Sequence, residues 1–358
     1  MNIAIIDAYY DLSHRLWAEG WKKHSTHNID IYSLPPVHWK WQMMGGTISL
    51  AQMLNTTDVS YDLIIVTDMV NLPTFKSLLS DANNDVPMYI YFHENQITYP
   101  WSPTDQDVKL ERDHHYGFIN YTSALAADKV FFNSKYHKKS FLESLPGFIA
   151  QFPSSGLSDS VVAISHKSEV LPVALDLPLS SKKAFDEPVF LWNHRWEYDK
   201  NPKGFFRALF QLKDQGLSFK VIVIGKEYKN SPDIFSIARE QLAHEIIHIG
   251  YVEDRGEYQE LLAKANLLLV TGYQDFFGIS VVEALAAGCF PILPDRLAYP
   301  EHLPEELRVR HLYNNEEDMM EKLEKAVSQK LYLKTDLTQE FINKYDWSSL
   351  IELYDNLI

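Results

Sequence analysis

Short apolar runs alternate with longer polar-apolar stretches of helical period along almost the whole chain. Ile3–Ile6, Ile29–Leu34, Tyr61–Asp68, Val86–Phe92 and Lys129–Phe132 read as buried strands in a first series. Pro188–Trp192, Phe219–Gly225, Ile246–Val252 and Asn266–Val270 form a second. Strands that alternate regularly with helices imply parallel sheets with right-handed crossovers, so the expected class is α/β, with two doubly wound domains. A length of 358 residues suits that number. The boundaries read as 1–174 for the first domain, 175–187 for a linker and 188–344 for the second domain, with a terminal helix in 345–358 opened by Tyr345-Asp-Trp. Ser13 is the expected cap of the first helix, and 146–160 reads as turn-rich.

The most informative stretch is Thr271–Gly288. A polar turn follows the Asn266–Val270 strand and opens an apolar helix from about Ile279 to Ala287, which Gly288 can stop. The amides of Phe277, Gly278 and Ile279 have no partner within that helix and are free to face a phosphate, with Gly278 allowing close approach. Glu283 lies among Val281, Val282, Ala284 and Leu285, where a carboxylate is costly unless donors meet it. The adjacent hydroxyls of a ribose would serve. Asp275, on the loop before, would aim a second carboxylate at a polyol. Arg195 and Lys200 fall on the loop after Pro188–Trp192, where two cations would neutralise a diphosphate.

In the first half, His93-Glu94-Asn95-Gln96 stands at the carboxyl end of a strand, where doubly wound sheets hold ligands. Asn133-Ser134 opens a helix near the same edge. Trp39 and Trp41 are either core or a platform on which an acceptor ring stacks. Lys135, His137, Lys138 and Lys139 are either a solvated helix face or a contact for RNA.

Composition narrows the classes. Hydrophobic content of 46% and charged content of 23% are those of an ordinary globular chain, and the net charge of −15 argues against a protein that coats nucleic acid with basic surface. Cys289 is the only cysteine, so no internal disulfide forms and a reducing compartment is expected. The start lacks a basic, apolar leader and no window approaches the ~20 apolar residues of a membrane span. The cytoplasm is therefore the expected compartment and no membrane partner is expected. No dinucleotide fingerprint, Walker loop, zinc spacing or nucleophile elbow occurs. Asp105-Gln-Asp107 has the spacing of a metal-binding Asp-x-Asp, but no strand precedes it, so no metal is expected.

Two acids eight residues apart around a Phe-Gly turn, followed by Glu-Ala-Leu-Ala-Ala-Gly, resemble the donor-site signature of retaining glycosyltransferases of the GT-B fold, family 4-like, whose two Rossmann-like domains face a cleft. The resemblance implies that Asp275, where the family usually carries Glu, touches donor-sugar hydroxyls, and that Glu283 holds the nucleotide ribose. It implies a diphosphate held by Arg195, Lys200 and the amides of Phe277, Gly278 and Ile279. It places the nucleobase on the backbone of Tyr251 and Val252, and the terminal helix back across the first domain. Tyr91-Phe-His-Glu-Asn-Gln96, Phe132-Asn-Ser134, His194-Arg-Trp-Glu-Tyr-Asp-Lys200 and Asp275-Phe-Phe-Gly278, with Ser13-His14 and the Trp39/Trp41 loop, resemble the tRNA-queuosine mannosyltransferases. That narrower likeness implies transfer of mannose from GDP-mannose to the cyclopentene diol of queuosine in a tRNA anticodon, with retention and without metal or cofactor. His93, Glu94 and Asp275 would be the catalytic groups, His93 orienting donor sugar or acceptor, while His14, Trp39, Trp41, Asn95 and Asn133 would meet the acceptor. A lipid, polysaccharide or small-molecule acceptor, a UDP or ADP donor and a non-catalytic nucleotide-sugar sensor stay open at this point, as does the oligomeric state.

Overall fold

A computed structural model of the chain describes all residues except 103–104, 111, 113, 153–156, 178–186, 229–230, 334–337 and 358. It divides into two compact units, Met1–Asp176 with Tyr345–Ile358, and Leu177–Lys344. Most of the linker expected over 175–187 lies outside the described residues.

The first unit carries a six-stranded parallel sheet, β1 (Asn2–Asp7), β2 (Asn28–Ser33), β3 (Leu63–Thr67), β4 (Met88–Phe92), β5 (Lys129–Phe132) and β6 (Ser168–Val170), in the order β2-β1-β3-β4-β5-β6. Its central strands are apolar, with Ile3, Ile64, Ile90 and Phe132 fully buried, whereas the edge strands β2 and β6 carry polar residues such as Asp30 and Glu169. The register aligns the strand ends, so Asp7, Asp68, His93 and Asn133 follow neighbouring strands along one edge. The Leu12–His24 helix is capped by Asp11, whose Oδ1 accepts from the amides of Ser13 and His14, rather than by Ser13, because the helix begins two residues earlier than expected. The Lys135–Ile149 helix runs through Pro146, and a further helix spans Ser158–His166. The turn-rich reading of 146–160 therefore fails on both sides of the undescribed 153–156: the helix continues past Pro146, with the Ala150 amide bonded to its carbonyl.

The Trp347–Asp355 helix belongs to this unit. Trp17 Nε1 donates to Tyr354 Oη at 3.0 Å, Tyr354 Oη donates to Pro172 O at 2.7 Å, and Trp21 Nε1 reaches Asp355 at 3.3 Å. Gly20 makes room for the Trp347 indole, since a Cβ there would lie 2.3 Å from its Nε1.

The second unit repeats the plan with β7 (Val189–Trp192), β8 (Lys220–Ile224), β9 (Ile246–Gly250), β10 (Leu267–Leu269), β11 (Phe290–Pro294) and β12 (Leu312–Tyr313), in the order β12-β11-β10-β7-β8-β9. Pro291 and Pro294 disguise β11, since proline argues against a paired strand. The strand pairs through the carbonyls that remain: Val270 N donates to Ile292 O, between the two prolines, and His311 Nδ1 meets Pro291 O at 2.8 Å.

Candidate active site

In the first unit, parallel strand ends gather a buried polar cluster. Asp7 Oδ2 lies 2.7 Å from His14 Nδ1, and the His14 ring stacks on His93 with centroids 4.0 Å apart. Burial disfavours the His14 imidazolium, but Asp7, aided by Asp11 and Asp68, outweighs it and raises its pKa to about 10. His93 goes the other way: burial, then the charges of His14 and His137, hold it well below the ordinary value, so its ring is neutral. Its Nε2 is buried with no hydrogen-bond partner among the described residues. Asp68 Oδ1 accepts the His93 amide at 2.7 Å. Burial, reinforced by Glu94 and opposed by His14 and the His93 amide, lifts the Asp68 pKa to about 8.

Asn133 Nδ2 donates to His93 O at 2.8 Å while its Oδ1 faces His137 Nδ1 at 2.8 Å, so Asn133 fixes the His93 loop from behind. Asn95 is fully buried and its amide is spent on the turn, with Oδ1 accepting from the amides of Ile97 and Thr98 and Nδ2 donating to Thr98 Oγ1. Both amides shape the loop that carries His93 and Glu94. Glu94 is half-buried and accepts from Gln96 Nε2 at 2.8 Å. The two tryptophans separate. Trp39 is half-buried against the core, 4.9 Å from the Tyr116 ring, whereas Trp41 is 75% exposed. His137 is interior, which removes it from the basic surface read over 135–139.

In the second unit, β7 delivers Asn193 and His194, and β10 leads into the Thr271–Gly278 turn. Gly278 has φ +87°, the left-handed conformation that glycine alone adopts without strain, and caps the Ile279–Ala286 helix. Gly278 thus ends the loop and starts the helix at the strand–helix corner. Lys200 is buried and donates to Gln274 O and to Asp275 Oδ1 at 3.0 Å, with Asp199 Oδ2 at 3.3 Å. Burial favours the neutral amine, but Asp275 and Asp199 raise its pKa, so it stays charged. Asp275 also accepts from Tyr299 Oη at 2.6 Å. Burial alone would raise its pKa; Lys200, then His194 and Tyr299, bring it below the usual carboxylate value. Arg195 is more open and lies 3.4 Å from Glu197.

Glu283 is buried as expected, yet its donors come from the chain itself: Arg255 Nη2 on Oε1 and Tyr258 Oη on Oε2 at 2.7 Å. A carboxylate offers about four lone-pair positions, so two filled by protein leave room for hydroxyls. After β9, Tyr251 is exposed and Val252 is buried.

Several groups escaped the sequence reading. His194 is buried, bonds Ser280 Oγ through Nδ1 at 3.0 Å, and has an Nε2 without a partner among the described residues. Burial first, and Lys200 and Arg195 after it, lower its pKa to about 4 against the pull of Asp275 and Asp199. Asn193 Nδ2 tethers the same helix turn through Ser280 O at 2.7 Å. Asp7, Asp68, Arg255, Tyr258 and Tyr299 were likewise unread. The signal for Asp7 and Asp68 was their place at strand carboxyl ends; for the others nothing local marks them. Among the described residues no group of three or more His, Cys, Asp or Glu is placed to hold a metal ion, and no helix is long and apolar enough to cross a membrane.

Two parallel sheets and a strand–helix corner flanked by buried charge define a GT-B glycosyltransferase. Solved structures agree on the fold. A sucrose-phosphate synthase from Thermosynechococcus elongatus has a TM-score of 0.73 at 12% identity, covering 100% of this chain and 98% of that one. HepE from Anabaena in complex with UDP has a TM-score of 0.67 at 14% identity, covering 100% and 99%. Residues 178–344 match the glycosyl transferases group 1 family, and residues 2–175 match the tRNA-queuosine alpha-mannosyltransferase N-terminal family. The tRNA-queuosine alpha-mannosyltransferase of Drosophila melanogaster is 32% identical over 335 residues, 90% of this chain and 86% of that protein. The chain belongs to the tRNA-queuosine alpha-mannosyltransferase family and is a hexosyltransferase.

Proposed function

We propose that the chain transfers mannose from GDP-mannose to the cyclopentene diol of queuosine in a tRNA anticodon, retaining the α configuration. The observation that carries this reading is the relative's similarity across both units, including the first, where the acceptor-side cluster lies. The second unit takes the donor. Lys200, Arg195 and the amides of Phe277, Gly278 and Ile279 grip the diphosphate, Glu283 accepts from the ribose hydroxyls, and the backbone at Tyr251 and Val252 meets the base. Asp275, held anionic beside Lys200, accepts hydroxyls of the sugar.

An acceptor hydroxyl attacks the anomeric carbon on the face that the diphosphate leaves. The carbon–oxygen bond to phosphate breaks, a new glycosidic bond forms, and the hydroxyl proton passes to the departing diphosphate. The fixed cation and helix amides stabilise the negative charge that develops there, without reorganisation during the step. Neutral His93 presents its buried Nε2 as a hydrogen-bonding group for sugar or acceptor. No metal or other cofactor enters this scheme.

The test is incubation with GDP-mannose and queuosine-containing tRNA, followed by mass spectrometry of the nucleosides. A hexose added to queuosine, and none on tRNA lacking it, is the expected result. Donor binding without transfer would refute the acceptor assignment, and stabilisation by UDP-sugars alone would refute the donor.

A further inference from the structure

A cavity of about 230 Å³ opens in the first unit beside the His93-Glu94 loop. Its aromatic walls are Trp101, Phe148 and His114, Ile97 adds an aliphatic surface, and the Gln96 and Gln151 side-chain amides reach its lining. No Lys, Arg, Asp or Glu lines it among the described residues. A lining without Lys, Arg, Asp or Glu offers no fixed charge to select a phosphate or an ammonium group; flat aromatic faces with carboxamides suit a planar heterocycle, stacked on its faces and hydrogen-bonded at its edge.

Two further features set the walls in place. Trp101 is held from outside by Lys40, whose Nζ lies 5.2 Å from the Trp101 ring centroid and is itself clamped by Asp105 at 2.7 Å. Gly117 packs behind two of the walls: a Cβ there would lie 3.0 Å from the Phe148 ring and 3.2 Å from Ile97. Gln96 then links cavity to site, because its Nε2 donates to Glu94 Oε1 at 2.8 Å and its amide bonds Asn120 Oδ1 at 2.7 Å.

We infer that this cavity is the subsite for the nucleobase of the acceptor nucleoside, which stacks against Trp101 and Phe148 while Gln96 and Gln151 read its edge. This rests on the proposed function for the identity of the acceptor. A base seated there lies on the loop that carries Glu94 and His93, so a hydroxylated substituent on that base extends toward the group expected to orient it. Trp101, Gln96 and Gln151 are thereby specificity-determining residues, and Asn95 and Asn120 serve by shaping the loop.

The experiment is calorimetric titration of the full chain with free queuosine nucleoside, alongside transfer kinetics on queuosine-containing tRNA. The wild-type chain is expected to bind the nucleoside. Gln151→Ala, an exposed position whose loss leaves the fold intact, and Gly117→Ala, which presses on the Phe148 and Ile97 walls, are each expected to weaken binding at least tenfold. The KM for tRNA should rise to match while the affinity for GDP-mannose is unchanged. Thermal midpoints of the variants separate lost binding from lost fold; should Gly117→Ala unfold, Gln151→Ala and Trp101→Phe decide. Nucleoside binding that is absent in wild type, or unaltered in folded variants, overturns the cavity assignment even where tRNA is mannosylated. Nucleoside binding that depends on Gln151 supports it even where transfer fails, in which case only the proposed reaction falls.

Discussion

His14 lies face to face with His93, their ring centroids 4.0 Å apart, and only one of the two carries charge. Asp7 holds His14 protonated, while burial, reinforced by that neighbouring charge, keeps His93 neutral. Folded His14 has a pKa near 10 against an ordinary 6.5, so its contribution is fully present below about pH 6.5 and is lost as pH rises through about 10. Asp68, raised from 3.8 to about 8, acts in the same direction over a lower range. Stability against urea should therefore fall by on the order of a few kcal/mol between pH 6.5 and 10. His14→Gln should flatten that slope; an unchanged slope in the variant would show that the charge resides elsewhere.

Lys200 is enclosed by two carboxylates, Asp199 and Asp275. Lys200→Met leaves both buried without their cation, which in comparable buried pairs costs about 3–5 kcal/mol. It also removes charge from the expected diphosphate position, so turnover should drop at least ~100-fold, the scale of a lost oxyanion donor. Lys200→Arg should restore part of the stability, by returning a cation, and little of the rate, because a planar fork does not fit a pocket shaped for an ammonium. Urea titration and steady-state kinetics on the same samples check both.

Gly225, at the end of β8, allows the His194 carbonyl to approach, and a Cβ there would lie 2.0 Å from that oxygen. Backbone must move to admit it. Gly225→Ala should displace the His194 loop and with it the Ser280 contact at the helix start. The expected outcome is a donor affinity weakened about tenfold, which corresponds to about 1.4 kcal/mol. Retained affinity, measured by calorimetry with GDP-mannose, would show that the loop is not needed to form the donor site.

Gly20→Ala places a methyl group against the Trp347 indole. Overpacking of this kind costs about 1–3 kcal/mol. The variant should melt earlier, with greater exchange of backbone amides in the Trp347–Asp355 helix and none of that increase in β7 to β12. Equal protection in both variant and wild type would mean that the indole swings aside at no cost.

Much of the architecture was readable because each buried parallel strand is an unbroken apolar run, and the turns between runs carry polar residues whatever the tertiary context. β11 escaped because Pro291 and Pro294 signal against pairing, and only its neighbours reveal that the carbonyls do the work. At the site, Glu283 stands out as a charge in an apolar helix, and Asp275, Gly278 and Lys200 stand out by their place on loops that follow strands. Their partners do not. Tyr258 is 25 residues before Glu283 and Tyr299 is 24 after Asp275, and which of many tyrosines reaches a given acid depends on helix placement that no local pattern encodes. Asn95 and Asn133 also bond the backbone of their own loops, a structural use that a polar residue at a strand end does not announce in sequence, because a buried loop needs amides to satisfy its own backbone.

The Trp347–Asp355 helix completes a unit that began more than 300 residues earlier: Trp17 and Tyr354 are 337 residues apart in the chain. A ribosome makes the chain from its amino terminus, so the second unit is synthesised in full before the first can close over Trp17 and Trp21. Those two indoles gain their Tyr354 and Asp355 partners only then, so the half of the protein translated first is the half completed last.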